Sequence, residues 1–225
     1  MVNKFKIKIS NLIYNNFSYL FENYKNSKVL NSYKKILDYS KPNKNKYKRL
    51  LIDGGFYNLG YFYRLQLFRA AVKNENLKEH AYLWDANFNI CKKLLNTIGI
   101  KSISYLFKGF NKDIYLESHE IANKINSKED ILSLKLPYEI PGSFLYDSIL
   151  KLQKTASVNI NDKNLKNYFY KFLYSISFSE EILDNFNPDL IAMSHCLSYQ
   201  CAPLSWLAAK KGIPVIVLGG DFGSP

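Results

Sequence analysis

The feature that most constrains the fold is the alternation of short apolar segments with helical segments from Arg49 onward. The apolar segments "RLLID", "EHAYLW", "KSISYLF", "PDLIAMS" and "IPVIVLGGD" are typical of buried strands, and amphipathic helical segments separate them. Parallel strands need such crossovers, and the crossovers are right-handed. We therefore predict a Rossmann-like, doubly wound parallel α/β sheet over residues 49–225, preceded by a helical arm over residues 1–48.

The candidate binding residues follow from where the predicted strands end. In sheets of this type, ligands bind outside the carboxyl ends of the strands. The first loop does not match GxGxxG, so the sequence predicts no dinucleotide cofactor. Its glycines serve either the close approach of a ligand or only a tight turn. The candidate substrate-binding residues at the strand ends are Asp53, Gly54, Gly55, Ser194, Gly219, Gly220 and Asp221.

Two residues are candidates for a catalytic role. His195 follows a predicted strand, where an imidazole can accept the proton of a substrate hydroxyl near neutral pH, although a structural role is the alternative. Asp147 lies in the first turn of a predicted helix, where it either stabilises the helix dipole or contacts substrate. The sequence contains no nucleophile elbow, Walker loop, HExxH or DxD motif, and it therefore predicts no metal ion.

Cysteine usage and hydropathy bear on the compartment. The three cysteines, Cys91, Cys196 and Cys201, form no CxxC pair, which indicates a reducing compartment and argues against a disulfide framework or a zinc site. No stretch reaches the roughly 18 apolar residues that a membrane span needs, and the first residues lack the apolar core of a signal peptide. We expect a cytoplasmic protein.

The net charge of +12 is concentrated in the arm. Residues 1–49 contain twelve Lys and Arg residues against Glu22 and Asp38, so the remainder is nearly balanced. Apolar residues of the arm recur at helical spacing. The arm is either a peripheral helix on an anionic membrane surface or a helix docked on protein. Nucleic acid is not an expected partner, because neither a reader fold nor an aromatic stacking motif is apparent.

Two segments, "GSFLYDSILK" and "FNPDLIAMSHCLSYQCAPLSWLAAKKGIPVIVLGG", together resemble bacterial surface-carbohydrate and capsular-polysaccharide biosynthesis proteins. That family looks like glycosyltransferases of the two-Rossmann-domain (GT-B) architecture. Its motifs are G-x-x-x-YD-x-x-L, SH-x-x-Y, Ala-x-x-x-Gly-Ile-Pro-Val and a glycine-rich end. Gln200-Cys201 departs from the glycine expected after SH-x-x-Y. The matching positions are Gly142, Tyr146, Asp147, Leu150, Ser194, His195, Tyr199 (displaced by one), Ala208, Gly212, Ile213, Pro214, Val215, Gly219 and Gly220.

The resemblance implies a role in transferring a sugar to a glycan acceptor, which includes lipid-linked glycans. The chain would be the acceptor-binding half of a metal-independent glycosyltransferase, with an inverting mechanism as the leading hypothesis and a retaining one as the alternative. His195 or Asp147 would be the base, and Tyr146 and Tyr199 would be further substrate-binding residues. A nucleotide-sugar would bind only with a C-terminal domain that this chain lacks, so we expect a fragment with little transfer activity alone. The alternative is a non-catalytic carbohydrate- or membrane-binding module.

Overall fold

The computed structural model describes residues 47–85 and 89–219. The predicted helical arm lies outside the described residues, apart from the last residues of its linker. The predictions for Gly220 and Asp221 also lie outside them. Within the described part of the chain, no helix combines the length and the apolar character that crossing a membrane requires.

Five strands in the described residues form one parallel sheet, which confirms the predicted Rossmann-like α/β fold. The strand order is β3-β2-β1-β4-β5. Ile52 of β1 pairs with Ala81 of β2 on one side and with Ala192 of β4 on the other. The strands are β1 (Arg49–Asp53), β2 (Lys78–Leu83), β3 (Ile103–Tyr105), β4 (Leu190–Met193) and β5 (Val215–Val217).

Helices occupy the connections between the strands. A helix of 22 residues begins at Leu165, after a turn in which the Asp162 side chain accepts a hydrogen bond from the Asn164 amide. The helices are α1 (Leu59–Val72), α2 (Asn89–Thr97), α3 (Lys112–Asn123), α4 (Lys128–Leu132), α5 (Gly142–Gln153), α6 (Leu165–Phe186) and α7 (Ala202–Lys210).

The sheet is covered on both faces, as the continuous apolar strands require. Leu50 and Ile52 of β1 pack with α1 and α2 in one cluster of buried side chains. Leu51 points to the opposite face and packs with α6 and α7 in a second cluster. Because successive side chains of a strand point to opposite faces, β1 contributes to both clusters.

The sheet order reverses direction between β1 and β4. The chain leaves β1 toward β2 and β3, whereas it leaves β4 toward β5. Helix α1 therefore packs on one face and α7 on the other. The loops that follow β1 and β4 separate at this topological switch point, where ligands bind in folds of this type. We call the space between the carboxyl ends of β1 and β4 the switch-point crevice.

Candidate functional site

The carboxylate of Asp53 is the centre of the hydrogen-bond network at the switch-point crevice. Asp53 is the last residue of β1 and is fully buried. Its Oδ1 accepts from the Gly55 amide at 3.0 Å and from Trp84 Nε1 at 2.9 Å. Its Oδ2 accepts from the Ser194 amide at 3.2 Å, from the Ser194 hydroxyl, and from Cys201 Sγ at 3.5 Å. The network therefore joins residues that follow β1, β2 and β4.

Five donors around one buried carboxyl group match the needs of an ionised carboxylate. A carboxylate accepts hydrogen bonds and donates none, and each of its oxygens can take more than one donor. A buried charge is tolerated where such bonds replace its hydration. We therefore assign Asp53 as the acceptor for all five donors, which decides the direction of the remaining bonds in the network.

The network continues from Asp53 to the ring of His195. Ser194 Oγ has a single proton, which it donates to Asp53, so it accepts from Nδ1 of His195 at 2.8 Å. The proton of a neutral His195 ring therefore resides on Nδ1, and Nε2 is an acceptor. Nε2 in turn accepts from the hydroxyl of Ser198 at 3.1 Å. Asp53 thus selects the tautomer of His195 through Ser194.

The environment of His195 keeps the imidazole neutral. Burial is the largest influence and lowers the pKa of His195 below its ordinary value of 6.5, the charge of Lys151 lowers it further, and Asp53 opposes both. The ring lies 5.8 Å from Phe56 and 5.7 Å from Trp84, between centroids. These aromatic contacts restrict the orientation of a half-buried, neutral base.

The glycines beside this network are required by close packing. A Cβ atom on Gly55 would lie 2.3 Å from the indole of Trp84, and one on Gly54 would lie 2.6 Å from the Leu95 side chain. A Cβ atom on Gly219 would lie 1.6 Å from the carbonyl oxygen of Ser194. These three glycines pack against residues that hold or carry the site, and Gly219 places the end of β5 against the loop after β4.

The loop after β4 carries the half-buried Tyr199. Ser175 of α6 donates its hydroxyl proton to the Tyr199 carbonyl, which fastens the loop to that helix. Burial, followed by the charge of Asp85, raises the pKa of the Tyr199 hydroxyl. The preceding residue, Ser198, has a φ of 81°, a left-handed conformation that costs energy for a residue other than glycine. The loop therefore holds the Ser198 hydroxyl and the Tyr199 ring in a defined arrangement.

The structure brings some of the predicted site residues together and leaves others apart. Asp53, Gly55, Ser194 and His195 share one network. Asp147 is exposed on α5 and makes no hydrogen bond to that network within the described residues. Tyr146 is half-buried and packs against the core. Lys151, one turn beyond Asp147 on α5, carries a positive charge that lowers the pKa of His195.

Sequence reasoning missed three contacts of this network. Trp84 ends the segment "EHAYLW", which was predicted to be a strand, and its indole donates to Asp53. Ser198 carried no motif, and it donates to His195. Cys201 was not a candidate site residue, and it lies against both Asp53 and Tyr82. Trp84 and Cys201 are 31 and 148 positions from Asp53, so no local signal identifies these two partners, whereas Ser198 lies three positions after His195 in the same loop.

Among the residues that the structure describes, Asp53, His195 and Cys201 form a group that could hold a metal ion. Their oxygen, nitrogen and sulfur atoms lie within 4.8 Å of one another, and this is a donor set that zinc accepts. In the described arrangement the Asp53 oxygens are engaged by hydrogen bonds. Burial, followed by the charge of Asp53, raises the pKa of the Cys201 thiol, which favours the protonated form over a metal-binding thiolate.

A separate cavity of about 450 Å³ lies at the opposite, amino-terminal edge of β4 and β5. Its acidic residue, Asp189, accepts from the amides of Lys48 and Arg49 and pairs with the Arg49 side chain. The carboxylate of Asp189 therefore fastens the start of β1 to the start of β4, which is a structural role.

The comparisons with known proteins add no family. No family model matches the chain, and neither a curated protein nor a solved structure is significantly similar to it. The resemblance to surface-polysaccharide biosynthesis proteins stays a prediction from the motifs.

Proposed function

We propose that this chain binds a hydroxyl-bearing acceptor in the switch-point crevice and that His195 Nε2 removes its proton during sugar transfer. The observation that carries the proposal is the chain of hydrogen bonds from Asp53 through Ser194 to His195. It leaves an unprotonated Nε2 on a ring whose pKa is lowered. The motifs that resemble glycosyltransferases supply the choice of a sugar as the transferred group.

The contact with Ser198 supports the proposed pose of the acceptor. The Ser198 hydroxyl donates to Nε2 at 3.1 Å, which is within the distance at which a general base takes a proton. An acceptor hydroxyl that replaces this contact would present its proton to the same lone pair. Ser198 would then be free to rotate toward the ligand.

The proposed reaction uses the two ends of the imidazole differently. The acceptor proton moves to Nε2 while the acceptor oxygen forms a bond to the anomeric carbon of a nucleotide-sugar, and the bond from that carbon to the diphosphate breaks. The diphosphate leaves with the bonding electrons. The Nδ1–H of the imidazolium donates to Ser194 Oγ, and Asp53 stabilises the new positive charge. A second Rossmann-like domain would hold the donor, as the resemblance implies.

The test is transfer with and without the proposed base. The chain is combined with a polypeptide that supplies the donor-binding domain, and nucleotide-sugar consumption is measured for wild type, His195→Gln and Asp147→Asn. His80→Gln is the matched control, because His80 bonds to Ser102 and Ser104 at the other side of β2. We expect His195→Gln to lower kcat by about 10²- to 10⁴-fold, the usual contribution of a general base.

Two results would contradict this assignment. Equal turnover in wild type and His195→Gln would remove His195 as the base. A selective loss in Asp147→Asn would transfer the role to the exposed carboxylate on α5, the other base that the family resemblance implies.

The second candidate is a non-catalytic carbohydrate-binding module. Exposed aromatic side chains in the segment after β3 favour this function, since Phe110 is 69% exposed and touches the partly exposed Tyr115. This second function would be established if the protein binds saccharides but shows no transfer activity, whether or not a donor-binding domain is supplied.

We propose that the basic arm attaches the protein to the inner face of the membrane, as a peripheral contact of a cytoplasmic protein. Its excess of Lys and Arg residues supports attraction to anionic lipid. Flotation with vesicles that contain phosphatidylglycerol, for the full chain and for a chain without residues 1–40, tests this attachment. Equal flotation of the two forms would contradict it.

A further inference from the structure

A row of aromatic rings begins in the loop after β4 and leads away from His195. The ring centroid of Tyr199 lies 6.1 Å from that of Phe107, and Phe107 lies 5.1 Å from Tyr174. Phe107 follows β3, whereas Tyr174 belongs to α6. The inner half of the row therefore connects the loops after β3 and β4 with the long helix.

The row continues outward to the surface of α3. Tyr174 lies 5.8 Å from Tyr170, and Tyr170 lies 6.0 Å from Phe110. Phe110 then lies 5.2 Å from Tyr115 on α3. We call these six residues the aromatic row: Tyr199, Phe107, Tyr174, Tyr170, Phe110 and Tyr115.

The aromatic row lies at the same edge of the sheet as His195. Phe107 and Phe110 belong to the segment that follows the carboxyl end of β3. Helix α6 leads into β4, so its first half, which carries Tyr170 and Tyr174, lies near the carboxyl ends of the strands. A ligand whose one end occupies the switch-point crevice could therefore extend along the row.

The outer part of the row is exposed to solvent. Phe110 is 69% exposed, and its neighbour Tyr115 and the adjacent Leu116 are also exposed. Single exposed apolar side chains are ordinary, whereas a contiguous group is typical of a binding surface. Exposed rings that already touch one another lose little conformational entropy when a ligand covers them.

Hydrogen bonds fix the middle of the row. The hydroxyl of Tyr174 accepts from the Lys108 amide at 3.3 Å, and the hydroxyl of Tyr170 accepts from the Asn111 amide at 3.0 Å. Each hydroxyl keeps its own proton for donation. The middle of the row thus presents both ring surfaces and hydroxyl donors, a combination that suits a polyhydroxylated ligand.

The local charge discriminates between polymers that can pack on aromatic rings. Single-stranded nucleic acids combine base stacking with a positively charged groove, and anionic lipid also needs positive charge. The charged groups beside the row are mixed in sign. On α3, Lys112 stands against Asp113, Glu117 and Glu120. At the inner end, Lys171 Nζ lies 5.9 Å from the centre of the Tyr199 ring, on which the negative charge of Asp85 also acts.

We propose that the aromatic row binds a neutral glycan of several sugar units whose reacting end lies at His195. The identity of this ligand as the acceptor rests on the proposed function. Sugar rings have apolar faces that pack on aromatic rings and hydroxyl groups that bond to tyrosine. The centroid separations of 5.1–6.1 Å along the row allow successive sugars of one chain to contact successive rings.

The test is the length dependence of glycan affinity, measured by calorimetry on the full chain. The probes are neutral glucose oligosaccharides with β-1,4, β-1,3 and α-1,6 linkages, from the disaccharide to the hexasaccharide. For at least one linkage, we expect affinity to rise with length. Phe110→Ala and Tyr115→Ala should weaken hexasaccharide binding by about two- to tenfold each, the range of one aromatic contact, and leave disaccharide binding unchanged.

Leu67→Ala is the matched control, because Leu67 is 45% exposed on α1 at the other face of the sheet. The proposal is overturned if no oligosaccharide series gains affinity with length, or if the two row variants behave like the control. It is also overturned if Phe110→Ala instead abolishes binding of a thymidine oligonucleotide or of phosphatidylglycerol vesicles.

A further variant separates this proposal from the function of His195. His195→Gln should retain the length-dependent affinity, because the row binds sugars remote from the reacting hydroxyl. If Phe110→Ala and Tyr115→Ala lose the length dependence of glycan affinity but still transfer sugar normally to a short acceptor, the result supports glycan binding by the aromatic row. A protein whose transfer activity depends on His195, but whose glycan affinity does not depend on length, would contradict glycan binding by the aromatic row. The assignment of His195 as the base would remain.

Discussion

At the residue scale, Asp53 determines the properties of the site. It is buried without a cationic partner among its five hydrogen-bond donors, and those donors come from four separate residues. Each donor compensates part of the hydration that the carboxylate loses on folding. Replacing the carboxylate therefore affects the fold and the orientation of His195 together.

Asp53→Asn should lower the free energy of unfolding by about 1–3 kcal/mol, the cost of leaving buried donors without acceptors. The amide group of asparagine would face donors on at least one side, because the carboxylate accepts through both oxygens. Denaturant unfolding measures this change. Asp147→Asn is the control and should stay within about 0.5 kcal/mol of wild type, because Asp147 is exposed. Equal stability of Asp53→Asn and wild type would contradict the role of Asp53.

Lys151 and burial act in the same direction on His195. Lys151→Gln should raise the pKa of His195, because the nearby positive charge that lowers it is removed. Burial stays in place as the larger influence. A proton NMR titration of the imidazole measures the shift, with Lys154→Gln as the control on the same helix terminus. An unchanged pKa of His195 in Lys151→Gln would contradict this influence of Lys151.

The lowered pKa values also make stability depend on pH. The pKa of His195 and that of His80 are lowered from 6.5 in the folded protein, mainly by burial. Below pH 6.5 the unfolded chain therefore binds more protons than the folded one. Stability should be full above this pH and should fall as the pH drops toward the folded pKa values. Unfolding curves of His195→Gln should show a weaker dependence in this window, and an identical dependence would contradict the shift.

At the scale of the elements, the local sequence pattern predicts which strands exist better than it predicts which residues contact one another. The five strands were predicted correctly, because strands of a parallel sheet are continuous apolar runs and stand out from the amphipathic helices. The partners of each strand end were not predictable. Asp53 and Ser194 are 141 positions apart, and only the pairing of β1 with β4 brings them together.

Gly55 tests how one turn supports the site. Gly55→Ala places a methyl group where the indole of Trp84 lies, so the ring must move and its bond to Asp53 must lengthen. We expect a loss of about 1–3 kcal/mol, as for other overpacked positions, and a change in Trp84 fluorescence measured in a Trp206→Phe background.

Gly99→Ala provides the comparison for this variant. Gly99 has a φ of 91° and open space around it, so alanine should cost stability through the backbone alone and leave the Trp84 emission unchanged. Similar emission spectra for the Gly55→Ala protein and its parent would contradict the packing of Trp84 against this turn.

At the scale of the whole molecule, the strand order creates the site. The order β3-β2-β1-β4-β5 places the switch point between the strands that end in Asp53 and in Ser194-His195. The sequence predicted which strand ends carry polar residues, and the fold class was confirmed. The aromatic row was not predictable, since its rings come from the loop after β3, two helices and the loop after β4.

The tautomer of His195 tests most directly the claim that the two halves of the sheet assemble a base. The measurement is a long-range ¹H–¹⁵N NMR spectrum of the imidazole side chains at pH 7, with His195 assigned by its loss in His195→Gln. We predict a neutral ring with its proton on Nδ1 and an unprotonated Nε2. A proton on Nε2, or a doubly protonated ring at this pH, would contradict it.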